Sequence, residues 1–170
     1  CDVAYYHNVD DLERKGLEDI EHTMEHMKKA AKNYVWDYFS SVDGLKQERS
    51  RALKDCVQDI RENPNHYQAV TLPVLPFEDK QFDITVCAHL LFMYSDRLDY
   101  QFHLNSLKEL IRVTKEEIRI FPLTDLYGNK YNQLSQLKED LKEHVSSIVE
   151  VKVYYEFQKN ANYMLVIKLK

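Results

Sequence analysis

The sequence predicts an α/β fold, and three observations carry that prediction. From about residue 67 onward, short β-rich runs alternate with helical patterns, the signature of a parallel sheet crossed by helices. The last two β-runs have no helix between them, so they are expected to pair antiparallel. The N-terminal part instead shows apolar residues recurring at steps of three and four, the spacing of one helix face. With 170 residues, 44% hydrophobic and 30% charged, the chain is long enough to bury a core and too apolar to be disordered. Residues 1–170 are read as a single domain, with 9–66 as a helical insertion or lid within it.

Each element has its own reason. Leu17, Ile20, Met24, Met27 and Ala31 mark a first helix, with Asp10 as its expected cap and Glu13 in capping-box register. The aromatic patch Tyr34-Val35-Trp36-Asp37-Tyr38-Phe39 follows. A second helix is expected from an Asp43 cap, burying Leu45, the Arg49 stem, Ala52, Leu53, Cys56, Val57 and Ile60 until Asn63-Pro64 ends it. Ala69-Val70-Thr71-Leu72 is expected to be a strand. Phe82-Asp83-Ile84-Thr85-Val86-Cys87-Ala88 reads as a central one, apolar on both faces after Asp83. A helix over 100–114 turns Leu104, Leu107, Leu110 and Ile111 inward, and Ile118-Arg119-Ile120-Phe121 is the next strand. Leu134, Leu137 and Leu141 mark another helix. Strands over 148–154 and 163–169 close the chain.

Composition excludes several classes. A net charge of −5 argues against binding nucleic acid through phosphate charge. Apolar runs fall far short of the ~20 residues of a membrane span, so no membrane partner is expected. Only 3 glycines occur, which rules out a G-x-G-x-x-G or P-loop phosphate cradle among these residues. Cys1, Cys56 and Cys87 are odd in number and lack a CxxC pair, which predicts reduced thiols and a cytoplasmic location. The chain opens at Cys1-Asp2-Val3-Ala4 without an initiator Met or a signal-type segment, and it reads as starting mid-element.

The second half carries a resemblance. Leu75-Pro76-Phe77-Glu78-Asp79-Lys80-Gln81-Phe82-Asp83, running on to His89, resembles the "LPF-x-D-x-x-FD" stretch of class I S-adenosylmethionine-dependent methyltransferases. Further matches point to a little-characterised methyltransferase-like group. They are His89-Leu90-Leu91-Phe92-Met93-Tyr94-Ser95-Asp96, Phe102-His103 and Glu109-Leu110-Ile111-Arg112-Val113. Arg119-Ile120-Phe121-Pro122-Leu123, Tyr155-Glu156-Phe157-Gln158 and Trp36-Asp37-Tyr38-Phe39 complete the set. The resemblance implies a partial Rossmann-like methyltransferase sheet with a C-terminal antiparallel strand pair. It also implies S-adenosylmethionine as cofactor and methyl transfer to an unidentified acceptor in the intact protein.

By the same resemblance Leu75 and Phe77 would wall the adenine, Ala88, His89 and Leu90 would sit beside the cofactor, and Asp2 would accept from the ribose hydroxyls. The family's glycine-rich first loop would precede Asp2, so the chain resembles the C-terminal two-thirds of such a domain and would bind cofactor weakly by itself. Many members hold the adenine amine with an Asp just before "LPF", and Val70-Thr71-Leu72 offers none. Either a backbone carbonyl serves there or the site is weakened, and the alternative is a non-catalytic interaction domain on the same scaffold. No catalytic residue stands out. Removing a first strand would bare the edge of 82–88, which would be filled by 69–72 or recruit a second copy as a homo-oligomer.

Other motifs have plainer readings beside the functional ones. His22-Thr23-Met24-Glu25-His26 matches H-x-x-E-H, an inverted zincin pattern, yet it also fits a solvated polar helix face, so no metal site is assigned. His89 either orients a substrate or ties a strand end to a helix start, and His103 reads as structural. Tyr5, Tyr6, Tyr34, Trp36 and Tyr38 read as packing or as a pocket lining.

Overall fold

Four strands build one sheet in the order β1-β2-β4-β3. They are β1 (Phe82–Ala88), β2 (Thr114–Phe121), β3 (Val145–Lys152) and β4 (Tyr163–Leu169). β1 and β2 are parallel, and β4 runs antiparallel to both β2 and β3. The final pair is therefore antiparallel as expected, but β4 lies inside the sheet between two strands that share a direction. The structure, a computed structural model, describes residues 1–170, which divide into two compact units, Cys1–Thr71 and Leu72–Lys170.

In the Leu72–Lys170 unit, helix α3 (Tyr100–Val113) is the crossover between β1 and β2. Asp99 caps it by accepting from Phe102 N–H at 2.7 Å. Leu104, Leu107 and Leu110 are buried, and Leu107 is 0% exposed, a burial that stabilises by about 1.5–3 kcal/mol. The end of α3 is tied to the sheet by Thr114, whose hydroxyl donates to Leu110 carbonyl at 2.7 Å and lies 2.6 Å from Thr85 Oγ1. Helix α4 (Leu134–Leu141) buries Leu134, Leu137 and Leu141 as the spacing predicts. Ile118, Ile120, Leu165 and Ile167 form the sheet's covered face. Glu117 stands opposite Lys168 in the β2–β4 register and is flanked by Arg119, so its burial leaves it paired.

β1, read as central in an intact sheet, lies at the bare edge expected where a flanking first strand is absent, with Ile84 53% and Val86 67% exposed. Residues 69–72 form no named strand and do not fill that edge. Ala69 instead makes one parallel bridge, to Asp2. A continuous apolar run fits an edge as readily as a centre, and periodicity cannot tell them apart.

The Cys1–Thr71 unit is built on α1 (Val9–Lys29) and α2 (Val42–Glu62). Arg61 at the end of α2 pairs with Asp10 and Glu13, and Lys46 near its start pairs with Glu21, so the helices run antiparallel. Gly16 permits close contact, since a Cβ there would come within 2.8 Å of Leu53. The caps are Asn8 and Ser41, not Asp10 and Asp43. Asn8 accepts from Asp11 N–H at 2.8 Å, and Ser41 accepts from Gly44 N–H at 3.0 Å. The buried stripe is narrow: Met24, Met27, Leu45 and Val57, with Leu17 39% exposed and Ala52 also exposed, against expectation. Two helices packed on one another bury only one line of contact each. No helix in the chain is long and apolar enough to cross a membrane.

Candidate functional site

The carboxyl end of β1 carries Ala88, His89 and Leu90, whereas the loop with Leu75 and Phe77 lies at the strand's amino end, where Phe77 packs on Phe82. In open α/β sheets the carboxyl end is where ligands bind. His89 N–H donates to Phe121 carbonyl at 2.7 Å, which extends the β1–β2 pairing by one rung. His89 then turns out of the sheet with φ +56°, a left-handed conformation that costs a non-glycine residue on the order of 1 kcal/mol. Its Nδ1 lies 3.2 Å from Met93 Sδ, and its ring meets Phe121 edge-on at 5.7 Å. Tyr155 adds a third ring, 6.1 Å from Phe121. Ala88, His89 and Leu90 are all exposed, whereas Leu91 and Phe92 are each 1% exposed. The turn is thus anchored from below and open above.

His103 supplies much of that anchor. It is 0% exposed, and its Nδ1 and Nε2 lie 2.7 and 2.9 Å from the carbonyls of Asp99 and Leu91. Its ring stacks on Phe92 at 5.7 Å and tilts against Tyr131 at 4.7 Å. Its structural reading therefore rests on four distinct contacts.

The loop carrying Leu75 and Phe77 is held by two residues of α3. Leu75 N–H donates to Glu109 Oε1 at 2.7 Å. Arg112 donates to the carbonyls of Phe77 and Leu75 at 2.8 and 3.2 Å, and to Asp79 at 2.7 Å. Lys80 N–H closes the clamp on Arg112 carbonyl at 2.8 Å. The Arg112 guanidinium, bidentate on Glu109, holds that carboxyl below its ordinary range, against an opposing effect of burial. Leu75 is buried at 9% exposure, and Phe77 is half-buried with its ring edge-to-face on Phe82 at 4.9 Å. Burial pushes the Cys87 thiol up, so this neighbour of the turn is a poor nucleophile.

Asp2 belongs to the Cys1–Thr71 unit. It is exposed, its Oδ1 accepts from Ala4 N–H at 2.9 Å, and its backbone joins the parallel bridge to Ala69. In the same unit Tyr5 packs on Tyr67 at 5.2 Å, Tyr34 on Trp36 at 6.1 Å, and Tyr38, 74% exposed, on Phe39 at 4.8 Å. Trp36 Nε1 donates to Ala31 carbonyl at 3.0 Å. His22 and His26 bring their Nε2 atoms within 3.1 Å, while Glu25 pairs with Lys28 at 2.9 Å. No third His, Cys, Asp or Glu completes a metal-binding group around them.

Sequence reasoning missed the roles of Met93, Phe121, Tyr155, Glu109 and Arg112. All five lie in the motifs that carry the resemblance, which was the available signal. The sequence matches no protein-family profile. A search of curated proteins found a relative in Methanocaldococcus jannaschii, "Uncharacterized protein MJ0045". It is 33% identical over 168 residues, covering 98% of this chain and 73% of the relative.

Proposed function

We propose, on the motif resemblance, that this chain, which belongs to the family of that archaeal protein, acts in S-adenosylmethionine-dependent methyl transfer. The strand order carries the reading. The motif resemblance implies parallel strands closed by a final antiparallel pair, and β1-β2-β4-β3 has that ending. Two local features add support. The left-handed, exposed His89 stands at the carboxyl end of β1, where strained residues tend to serve function. Asp2 lies in a parallel bridge, as the tail of a strand ending in an acid would.

The residues fit a nucleoside in part. Ala88 to Leu90 offer an open turn at the carboxyl end of β1, while the adenine-wall role of Phe77 and the ribose role of Asp2, which belongs to the other unit, rest on the motif resemblance alone. When bound, the cofactor supplies an electrophilic methyl group for direct displacement by an acceptor nucleophile. The chain's task is then to position the acceptor and exclude water. The His89 imidazole, braced by Met93 and Phe121, is placed to orient the acceptor or take its proton.

One observation favours the second reading, a non-catalytic interaction domain on this scaffold. The carbonyls of Leu75 and Phe77, the residues that the resemblance would set against the adenine, already accept from Arg112. No Asp precedes them in Val70-Thr71-Leu72 to hold the adenine amine. Photolabelling of the full-length protein with methyl-labelled S-adenosylmethionine separates the two. The enzyme reading expects label within residues 75–94, displaced by excess unlabelled cofactor. Absence of displaceable label there supports the scaffold reading instead.

A further inference from the structure

At the carboxyl ends of β2 and β3 lies a cavity of about 360 Å³, lined by Leu123, Thr124, Lys130, Glu150, Asn160 and Tyr163. That size suits a small organic ligand. We propose that this cavity binds a small organic monocarboxylate with an apolar body. The proposal is independent of the methyltransferase reading, since it requires neither S-adenosylmethionine nor Asp2.

The first observation is an orphaned hydroxyl. Thr124 is 4% exposed, and its Oγ1 is buried without a hydrogen-bond partner in a residue that lines the cavity. Leaving a buried hydroxyl unpaired is costly, so such groups usually have a partner in the working state. The second is charge. Glu150 Oε2 accepts from Lys130 and its Oε1 from Lys138, both at 2.6 Å, so two ammonium groups share one carboxylate. The cluster keeps one positive charge in surplus, which suits a monoanion better than a dianion. Hydrogen bonds from both lysines keep Glu150 ionised even though burial opposes it more than any other single effect. Lys130, 59% exposed, retains donors for a ligand beyond the one it gives Glu150. The Asn160 amide adds polar capacity at the rim. Leu123 and the Tyr163 ring supply an apolar wall for the ligand's body.

The cavity is also pre-organised by its two loops. Asp125 Oδ1 accepts from Tyr127 and Asn129 N–H at 2.8 and 2.9 Å, and Gly128 takes the left-handed turn at φ +83°. Gln158 Nε2 donates to the carbonyls of Asp125 and Leu126 at 3.2 and 2.9 Å, which ties the β3–β4 connection to this turn. A Cβ on Gly128 would meet Lys159 carbonyl at 3.2 Å, so the loops approach as closely as glycine allows. This gives physical roles to Leu123 and Gln158, which the sequence motifs carry without explaining. A ligand entering here would find fixed donors, and little binding energy would go to ordering them.

The test is an NMR titration of the whole chain with 3-phenylpropionate, with 3-phenylpropanamide as neutral counterpart and inorganic phosphate as dianion. The proposal expects saturable shifts at Thr124, Lys130 and Asn160, with the amide and phosphate each bound about tenfold more weakly or worse. Thr124→Val is expected to lower 3-phenylpropionate affinity about tenfold without lowering the thermal midpoint, because the hydroxyl it removes is unpartnered. Lys130→Met is expected to weaken binding by a similar factor. Equal binding of the amide or of phosphate overturns the proposal. So does the absence of saturable shifts, wild-type affinity in either variant, or a lowered midpoint in Thr124→Val.

Discussion

His89 and His103 flank the same turn and are used in opposite ways. His103 is fully buried, with both ring nitrogens on backbone carbonyls and aromatic rings packed on it. His89 is exposed, strained at φ +56°, and its ring meets the soft thioether of Met93 and the ring of Phe121. The contrast teaches that a polar residue's role depends on what its partners leave available. One histidine is consumed by the fold, and it fixes Leu91 so that the other can be presented.

The largest expected effect breaks the buried side of that comparison. His103→Ala removes the ring that sits between the Asp99 and Leu91 carbonyls and leaves a cavity beside Phe92 and Tyr131. It is expected to destabilise the chain by about 3 kcal/mol in chemical denaturation. A loss below about 1 kcal/mol would mean that the histidine is dispensable to the fold.

Next in size is the clamp that holds the Leu75–Phe77 loop. Glu109→Ala removes the acceptor of Leu75 N–H and the partner of Arg112, for an expected loss of about 2 kcal/mol. The milder Glu109→Gln tests linkage. Because Arg112 holds the folded-state carboxyl below its ordinary value of 4.5, its contribution is present above that pH and is lost as pH falls through the lower folded-state value. The stability gap between wild type and Glu109→Gln is therefore expected to be full at pH 7 and to shrink below about pH 4. A gap that stays constant across that range would show that the charge is not what matters.

The smallest effect sharpens the exposed side. His89→Gly places glycine where the backbone is left-handed, so stability is expected to stay within about 1 kcal/mol of wild type. Photolabelling at the turn should nevertheless fall. Destabilisation comparable to that of His103→Ala would erase the distinction between the two histidines.

Much of this arrangement was legible in the sequence. The 3.6-residue spacing located α1 to α4, and the turn at His89 followed from where β1 ends. The antiparallel final pair followed from the absence of a helix between 152 and 163. The clamp was not legible, because Glu109 and Arg112 lie 34 and 37 residues from the backbone groups of Leu75 they bind. Pairing at that distance is set by how α3 packs on the sheet, which local pattern does not encode. The helix caps were misread for a different reason. Asp10 and Asn8 are both good caps, and the choice between them depends on where the preceding backbone becomes extended.

The most direct test of the methyltransferase reading is a calorimetric titration of S-adenosylmethionine into the full-length protein, wild type and Asp2→Ala. The account predicts saturable one-site binding by wild type and an affinity at least about tenfold lower for Asp2→Ala, the loss expected when a charged acceptor is removed from a ribose hydroxyl. No saturable binding by the folded wild type, or equal affinity in Asp2→Ala, would contradict it.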